Sequence, residues 1–361
     1  MKLAILGLSI TSSWGNGHAV TWRALASALD MAGHDVLFLE RDVPWYAAHR
    51  DLPAPPYGRT ALYASVDDLF ARFGDDIRDA DAVIIGSYVP DAIDIADRVF
   101  ERARGVRAFY DIDTPVTLAA LERGECRYLT PAQVAAYDLY LSFTGGPTLD
   151  HLEARWQSPR ARALYCSADP MTHHPEPRPH THALGYLGTY SHDRQPRVEA
   201  LLCAPARRLP DRRFSVVGPQ YPEGIDWPRN VERVDHLPPD RHRAFYNSLD
   251  FTLNVTRDDM IRAGHAPSIR LFEAAACAVP IISDRWDGLA DLFTPGEEII
   301  IADGTDDVVA ALTDIGEAER RAIGLRARER VLAAHTATHR AAELVDHIAE
   351  AMTPAARHAA R

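Results

Sequence analysis

Residues 266–291 read APSIRLFEAAACAVPIISDRWDGLAD. The pattern predicts a loop, a short helix that starts at Ser268, and a buried strand over residues 280–283. Ser268 suits an N-cap, because its hydroxyl can accept a backbone N–H of the first turn. The free amides of Ile269, Arg270 and Leu271 then face whatever precedes the helix, an arrangement suited to phosphate. Arg270 stands in that first turn, where the helix dipole disfavours a cation unless an anion is near. Glu273 follows one turn later, among the small apolar residues Ala274, Ala275, Ala276 and Cys277. A helix that is small all round packs between layers, so this carboxylate is expected away from bulk water. Buried, it needs donors, and ribose hydroxyls would serve. The competing reading is a local Arg270–Glu273 pair at i,i+3, worth only a few tenths of a kcal/mol.

Outward from this stretch, short apolar runs alternate with helical patterns. In the first half the runs are residues 3–8, 36–39, 82–85, 106–110, 139–143 and 163–166, with helices expected at 19–32, 91–104 and 147–156. Strands apolar on both faces and separated by helices predict a parallel sheet covered on both sides. A Pro- and His-rich passage, residues 169–182, interrupts the pattern and reads as a linker. Alternation resumes with strands at 183–187, 214–217, 231–234, 251–255, 280–283 and 299–302, and helices near 196–204 and 240–248. The expected fold is α/β with two Rossmann-like doubly wound domains, residues 1–182 and 183–335. The closing helical patterns are 306–334, broken near Gly316, and 337–352.

Size and composition agree with two soluble domains. The chain has 361 residues, 47% of them apolar and 25% charged, too many for one ordinary core. A net charge of −12 argues against nucleic acid as the main partner. Cys126, Cys166, Cys203 and Cys277 have no metal or disulfide spacing, so free thiols in a reducing cytoplasm are expected. The start, MKLAILGLSI, reads as a first strand rather than a signal peptide. No apolar run is long enough to span a bilayer. Oligomeric state is not readable from the sequence.

The Ser-x-Arg-x-Phe-Glu-Ala-Ala-Ala-Cys helix and the stretch Asn254 to Met260, with Arg257-Asp258-Asp259, resemble the nucleotide-sugar region of GT-B glycosyltransferases, most closely the spore-maturation-protein (CgeB-like) subgroup. The resemblance extends over essentially the whole chain, with its specificity in a few short motifs. It implies sugar transfer from a nucleoside-diphosphate sugar to an acceptor that the sequence does not name, with the donor in the second domain and the acceptor in the first. It implies no resident cofactor and no divalent metal, and a last helix, within residues 336–361, that packs back on the first domain. In related group-1 enzymes a Glu-x₇-Glu pair occupies this region and its second Glu holds the ribose. Glu273 matches that second position, whereas His265 stands at the first.

By the same resemblance Arg194, on the loop after the first strand of the second domain, would meet the donor diphosphate, its guanidinium binding two oxygens at once; the alternative is an exposed loop arginine. His236 would lie near the nucleotide base. Gly218 permits close backbone approach at the carboxyl end of a strand.

In the first domain, Gly15 and Gly17 allow a tight turn in the loop Ser12-Ser-Trp-Gly-Asn-Gly-His18. His18 opens a helix, where the dipole favours neutral imidazole. The resemblance makes it the acceptor's general base; a structural histidine is the other reading. Asp111 and Asp113 end a strand. Asp113 could orient His18, or the pair could hold a divalent ion. Thr144, Gly145 and Gly146 follow another strand and are expected to line a cleft. His173, His174, His180 and His182 could form a metal tract, but the intervening prolines favour a rigid, exposed linker.

Two rival activities share parts of this pattern. A nicotinamide-dependent dehydrogenase would use Gly15 and Gly17 with Glu40 as ribose-binding acid, yet Val20 stands where a third glycine belongs. A nucleotide-sugar 2-epimerase has the same fold and transfers nothing.

Overall fold

The computed structural model describes residues 1–15 and 17–353. The chain divides into two compact units, Met1–Tyr165 with Ala337–Arg361, and Cys166–Thr336. Residues 354–361, the end of the expected back-packing segment, lie outside the described residues. The division falls ahead of the expected 182/183 boundary because the supposed linker is built into the second unit. The Glu176 amide donates to the Asn247 side chain at 2.9 Å, Arg243 donates to the Glu176 carboxylate at 3.0 Å, and His173 is buried.

The first unit is a seven-stranded parallel sheet of order β3-β2-β1-β4-β5-β6-β7. Its strands are β1 Lys2–Gly7, β2 Asp35–Arg41, β3 Arg59–Tyr63, β4 Ala82–Gly86, β5 Val106–Asp111, β6 Leu139–Ser142 and β7 Ala161–Ala163. β1, β4 and β5 are buried along almost their whole length, which is what helices on both faces require. One face buries Leu6, Val83, Ile85 and Phe109 under the helices Val66–Asp79 and Ala92–Arg102. On the other, Trp22 of the helix His18–Met31 packs with Ile5, Phe38 and Tyr110. The helix Ala337–Met352 lies against His18–Met31, β5 and β6, and its Glu350 pairs with Arg162 at 2.5 Å and Arg160 at 3.2 Å.

The second unit is a six-stranded parallel sheet, β10-β9-β8-β11-β12-β13. Its strands are β8 His182–Leu187, β9 Phe214–Val217, β10 Val231–Val234, β11 Leu249–Asn254, β12 Ile281–Ser283 and β13 Ile300–Ile301. The long helical pattern near its end breaks where expected: Thr305–Asp314 and Glu317–Ala334 are separate helices, with Ile315 and Gly316 extended between them. Among the described residues no helix is long and apolar enough to cross a membrane. In each unit the motif-bearing loops sit at the carboxyl ends of the strands, where open α/β sheets bind ligands.

Candidate functional site

In the second unit the loops after β8, β9 and β11 bring arginines together. The helix Ile269–Ala276 begins after Ser268, but the Ser268 hydroxyl does not cap it. That hydroxyl donates instead to the Asn254 side-chain oxygen at 2.9 Å, leaving the first-turn amides without the expected side-chain cap. Arg270 is buried. Its Nη1 donates to the same Asn254 oxygen at 2.8 Å and its Nε to the Leu187 carbonyl at 2.5 Å. The guanidinium lies 4.9 Å from the centre of the Tyr186 ring. It therefore reaches β8 and β11 rather than forming the local pair with Glu273.

Arg194 donates one Nη to the Thr189 carbonyl at 2.6 Å, while its Nε is buried without a hydrogen-bond partner. Burial pulls its pKa below the ordinary arginine range, and the charges of Arg270 and Arg257 pull in the same direction. The Tyr186 hydroxyl beside them is also buried and unbonded. Gly218, at φ +149°, lies so close to the β8 loop that a Cβ would stand 2.1 Å from the Gly188 carbonyl oxygen. Only a residue without a side chain lets these two loops pack around the guanidinia. His236 is exposed on the loop after β10.

Glu273 is 3% exposed, with one donor from the protein and two imidazoles beside it. The Tyr246 hydroxyl donates to Oε2 at 3.2 Å. His173 Nε2 stands 3.7 Å from Oε1, and His242 Nδ1 stands 3.7 Å from Oε2. Burial works to raise the carboxyl's pKa, but His173, His242 and Tyr246 outweigh it and hold it at about 2. His265, in the first motif position, adopts φ +46° and pairs with Asp291 at 3.3 Å.

In the first unit the glycine loop is tied down on one side. Glu40 accepts from the Ile10 and Thr11 amides at 2.7 and 2.9 Å and from the Thr11 hydroxyl at 2.7 Å. It is buried and so is not the open acid that a dehydrogenase places on ribose. Gly15 and Gly17 are exposed, and Asn16 lies outside the described residues. The His18 ring meets Tyr88 edge-on at 5.4 Å, and the Tyr88 hydroxyl donates to Asp113 at 3.0 Å. Part of the residue's surface is accessible, but protein encloses the imidazole, and that burial lowers its pKa to about 4.

Asp111 is fully buried, accepting from Tyr140 at 2.6 Å and Thr117 at 2.7 Å. Burial lifts its pKa to about 6 against those donors. Thr144 is buried, and Gly145 faces Tyr165, whose hydroxyl a Cβ would meet at 2.0 Å. Gly146, exposed, starts the helix Pro147–Ala154. Asp111 and Thr144 therefore support the sheet's carboxyl edge from inside instead of lining an open surface.

Residues 194–346 match the glycosyl transferase-like family. No curated protein is similar enough in sequence to be matched. The fold is similar to that of solved glycosyltransferases over the whole chain. A sucrose-phosphate synthase from Thermosynechococcus elongatus is 15% identical, with a TM-score of 0.67 over 97% of this chain and 99% of that one. Anabaena Alr3699/HepE in complex with UDP and glucose is 11% identical, with a TM-score of 0.70 over 97% and 99%. An alpha-glucosyltransferase in complex with UDP and a 13-mer DNA is 12% identical, with a TM-score of 0.71 over 96% and 99%. The chain has the GT-B fold, and its residues 194–346 are glycosyl transferase-like.

The structure brings Arg194, Arg270, Ser268 and Gly218 to one end of the second sheet, with Arg257 close enough to act on Arg194. Asn254, which joins Ser268 to Arg270, was legible only as a motif residue without a role. Tyr186 gave no signal beyond a strand pattern. His173, His242 and Tyr246 were invisible as a group because nothing in their spacing links them.

Proposed function

We propose that this chain is a glycosyltransferase that takes its sugar from a nucleoside-diphosphate donor held by the second unit. The observation that carries the reading is the gathering of Arg194 and Arg270 beside the uncapped start of the helix Ile269–Ala276. Three features there are incomplete without an anion: the unbonded Nε of Arg194, the unbonded Tyr186 hydroxyl and the Ile269 and Arg270 amides that open the helix, the Leu271 amide being bonded to the Ser268 carbonyl. A diphosphate satisfies all three. UDP is the nucleotide of first choice, because HepE, similar in fold, is solved with UDP and with UDP-glucose. Glu273, one turn further along the same helix, accepts from the donor's ribose by exchanging a protein donor for a sugar hydroxyl.

In the transfer step the acceptor oxygen bonds to the anomeric carbon as the bond from that carbon to the diphosphate oxygen breaks. The electron pair leaves with the diphosphate, and Arg194, Arg270 and the amides stabilise the growing charge. His18 takes the acceptor's proton. Its pKa of about 4 keeps it neutral at physiological pH, though a weaker proton acceptor than a histidine poised near 7. The Tyr88–Asp113 pair supports the ring from one side. Transfer by way of His18 as base produces inversion at the anomeric carbon.

The test is mass spectrometry of the protein incubated with UDP-, GDP- and dTDP-sugars and a mixture of candidate acceptors. A product heavier than the acceptor by one glycosyl residue supports the reading. Conversion of the donor to an isomeric nucleotide sugar, with no transfer, would identify an epimerase.

A further inference from the structure

The buried group around Glu273 has a geometry that nucleotide binding does not explain. His173 ends a turn whose amide is bonded to the Asp169 carbonyl at 2.8 Å. His242 lies in the helix Pro239–Tyr246, and Glu273 in Ile269–Ala276. The ligand atoms of these three residues lie within 4.8 Å of one another, and among the described residues they are the group of this kind.

His173 is 4% exposed, yet neither ring nitrogen has a hydrogen bond. Burying an imidazole with both nitrogens unbonded is costly. His242 Nε2 is 3.3 Å from the Leu237 carbonyl. That contact assigns the N–H to Nε2 and leaves the Nδ1 lone pair facing the Glu273 carboxylate at 3.7 Å. A lone pair opposite a carboxylate is repulsive, and 3.7 Å is too long for a hydrogen bond between them. A cation removes the conflict, either a second proton on the ring, which Glu273 favours, or a metal ion. Two ligand atoms about 2.0–2.1 Å from a tetrahedral ion stand about 3.4 Å apart, so the two 3.7 Å contacts close by a few tenths of an ångström and the widest pair by at most about 1.4 Å.

We propose that His173 Nε2, His242 Nδ1 and the Glu273 carboxylate bind a divalent transition metal, with zinc the best chemical match. Two imidazoles and one carboxylate are a known zinc ligand set that leaves a fourth position open. The outer contacts are those a metal site uses: Leu237 orients His242, and Tyr246 bonds Glu273. The ion ties the 169–173 turn to two helices and takes no part in sugar transfer. If Glu273 also meets the donor's ribose, as proposed above, zinc and nucleotide compete for one carboxylate.

The test is titration of the full chain with zinc chloride by calorimetry, and with cobalt(II) by visible absorption. One equivalent binds, cobalt gives the intense bands of a four-coordinate site, and His173→Ala or His242→Gln weakens binding about a hundredfold or more. The double variant His174→Ala/His180→Ala, which removes two histidines of the same tract that lie outside the buried group, binds as the parent does. Absence of zinc binding at micromolar concentration overturns the proposal, as does loss of binding in the His174/His180 variant with retention in the other two. UDP titration and thermal melting without metal establish that each variant is folded. Zinc binding that is unaffected by saturating UDP upholds the metal site and removes Glu273 from the ribose.

Discussion

The side-chain oxygen of Asn254 accepts two hydrogen bonds, from the Ser268 hydroxyl at 2.9 Å and from Arg270 Nη1 at 2.8 Å. Its amide nitrogen donates to Ser283 at 2.9 Å. One buried side chain at the end of β11 thus fixes both the residue before the helix Ile269–Ala276 and the arginine within it.

Replacing Asn254 with Ala leaves the half-buried Ser268 and the buried Arg270 donors without that acceptor. The expected loss is about 1–3 kcal/mol of stability, the usual penalty for unsatisfied buried groups, with weaker UDP binding because Arg270 is no longer aimed. Urea unfolding and calorimetry measure both. A change below about 0.5 kcal/mol together with normal UDP affinity would show that Asn254 organises nothing.

His18→Ala is expected to lower kcat by roughly 10²–10⁴-fold, the range for general base catalysis, with UDP affinity unchanged. The pH profile carries a second signature. Because burial lowers the imidazole's pKa to about 4, the neutral form persists well below pH 6.5, and the acid limb of the rate lies near pH 4. Near-normal turnover in the variant, or transfer with retention, defeats the base assignment.

Asp111 gives a test of structure against catalysis. Its folded pKa is raised to about 6, so between about pH 4 and 6 the folded chain holds a proton that the unfolded chain releases. Stability from this group is present at low pH and is lost as pH rises through that window. Asp111→Asn removes the penalty of ionisation, and the Tyr140 hydroxyl can accept from the new amide. The variant is expected to be as stable as the parent at pH 7 or up to about 3 kcal/mol more stable, with turnover retained. A folded variant without turnover would put Asp111 in the chemistry.

Turnover is expected to survive dialysis against EDTA, because the arginines and helix amides carry the leaving-group charge. Complete loss on chelation, restored by manganese or magnesium, contradicts this.

The alternation of apolar runs and helical patterns was enough to read two parallel sheets, because strands buried on both faces leave uninterrupted apolar stretches. β3 was not legible: Arg59–Tyr63 is an edge strand, half-exposed and preceded by prolines. Ser268 was misread as a cap because its competing acceptor, Asn254, comes from the end of another strand. The depression of the His18 pKa was expected, but the part played by burial was not, since enclosure of a side chain is set by tertiary packing. The histidine tract divides for the same reason: His173 turns inward to Glu273, while His174 meets Arg243, His180 meets Asp250 and His182 meets Glu232.

Calorimetry of UDP and uridine with the parent and with Arg194→Met tests the donor site most directly. Arg194 is the cleanest arginine to remove, since its one side-chain hydrogen bond in the structure is to the Thr189 carbonyl. The account predicts that UDP binding weakens by about 1.5–3 kcal/mol, or roughly 10- to 150-fold, the value of a charge-assisted hydrogen bond, while uridine affinity stays the same. Equal UDP affinity in parent and variant, or an equal loss for uridine, would contradict a diphosphate held by the arginines of the second unit.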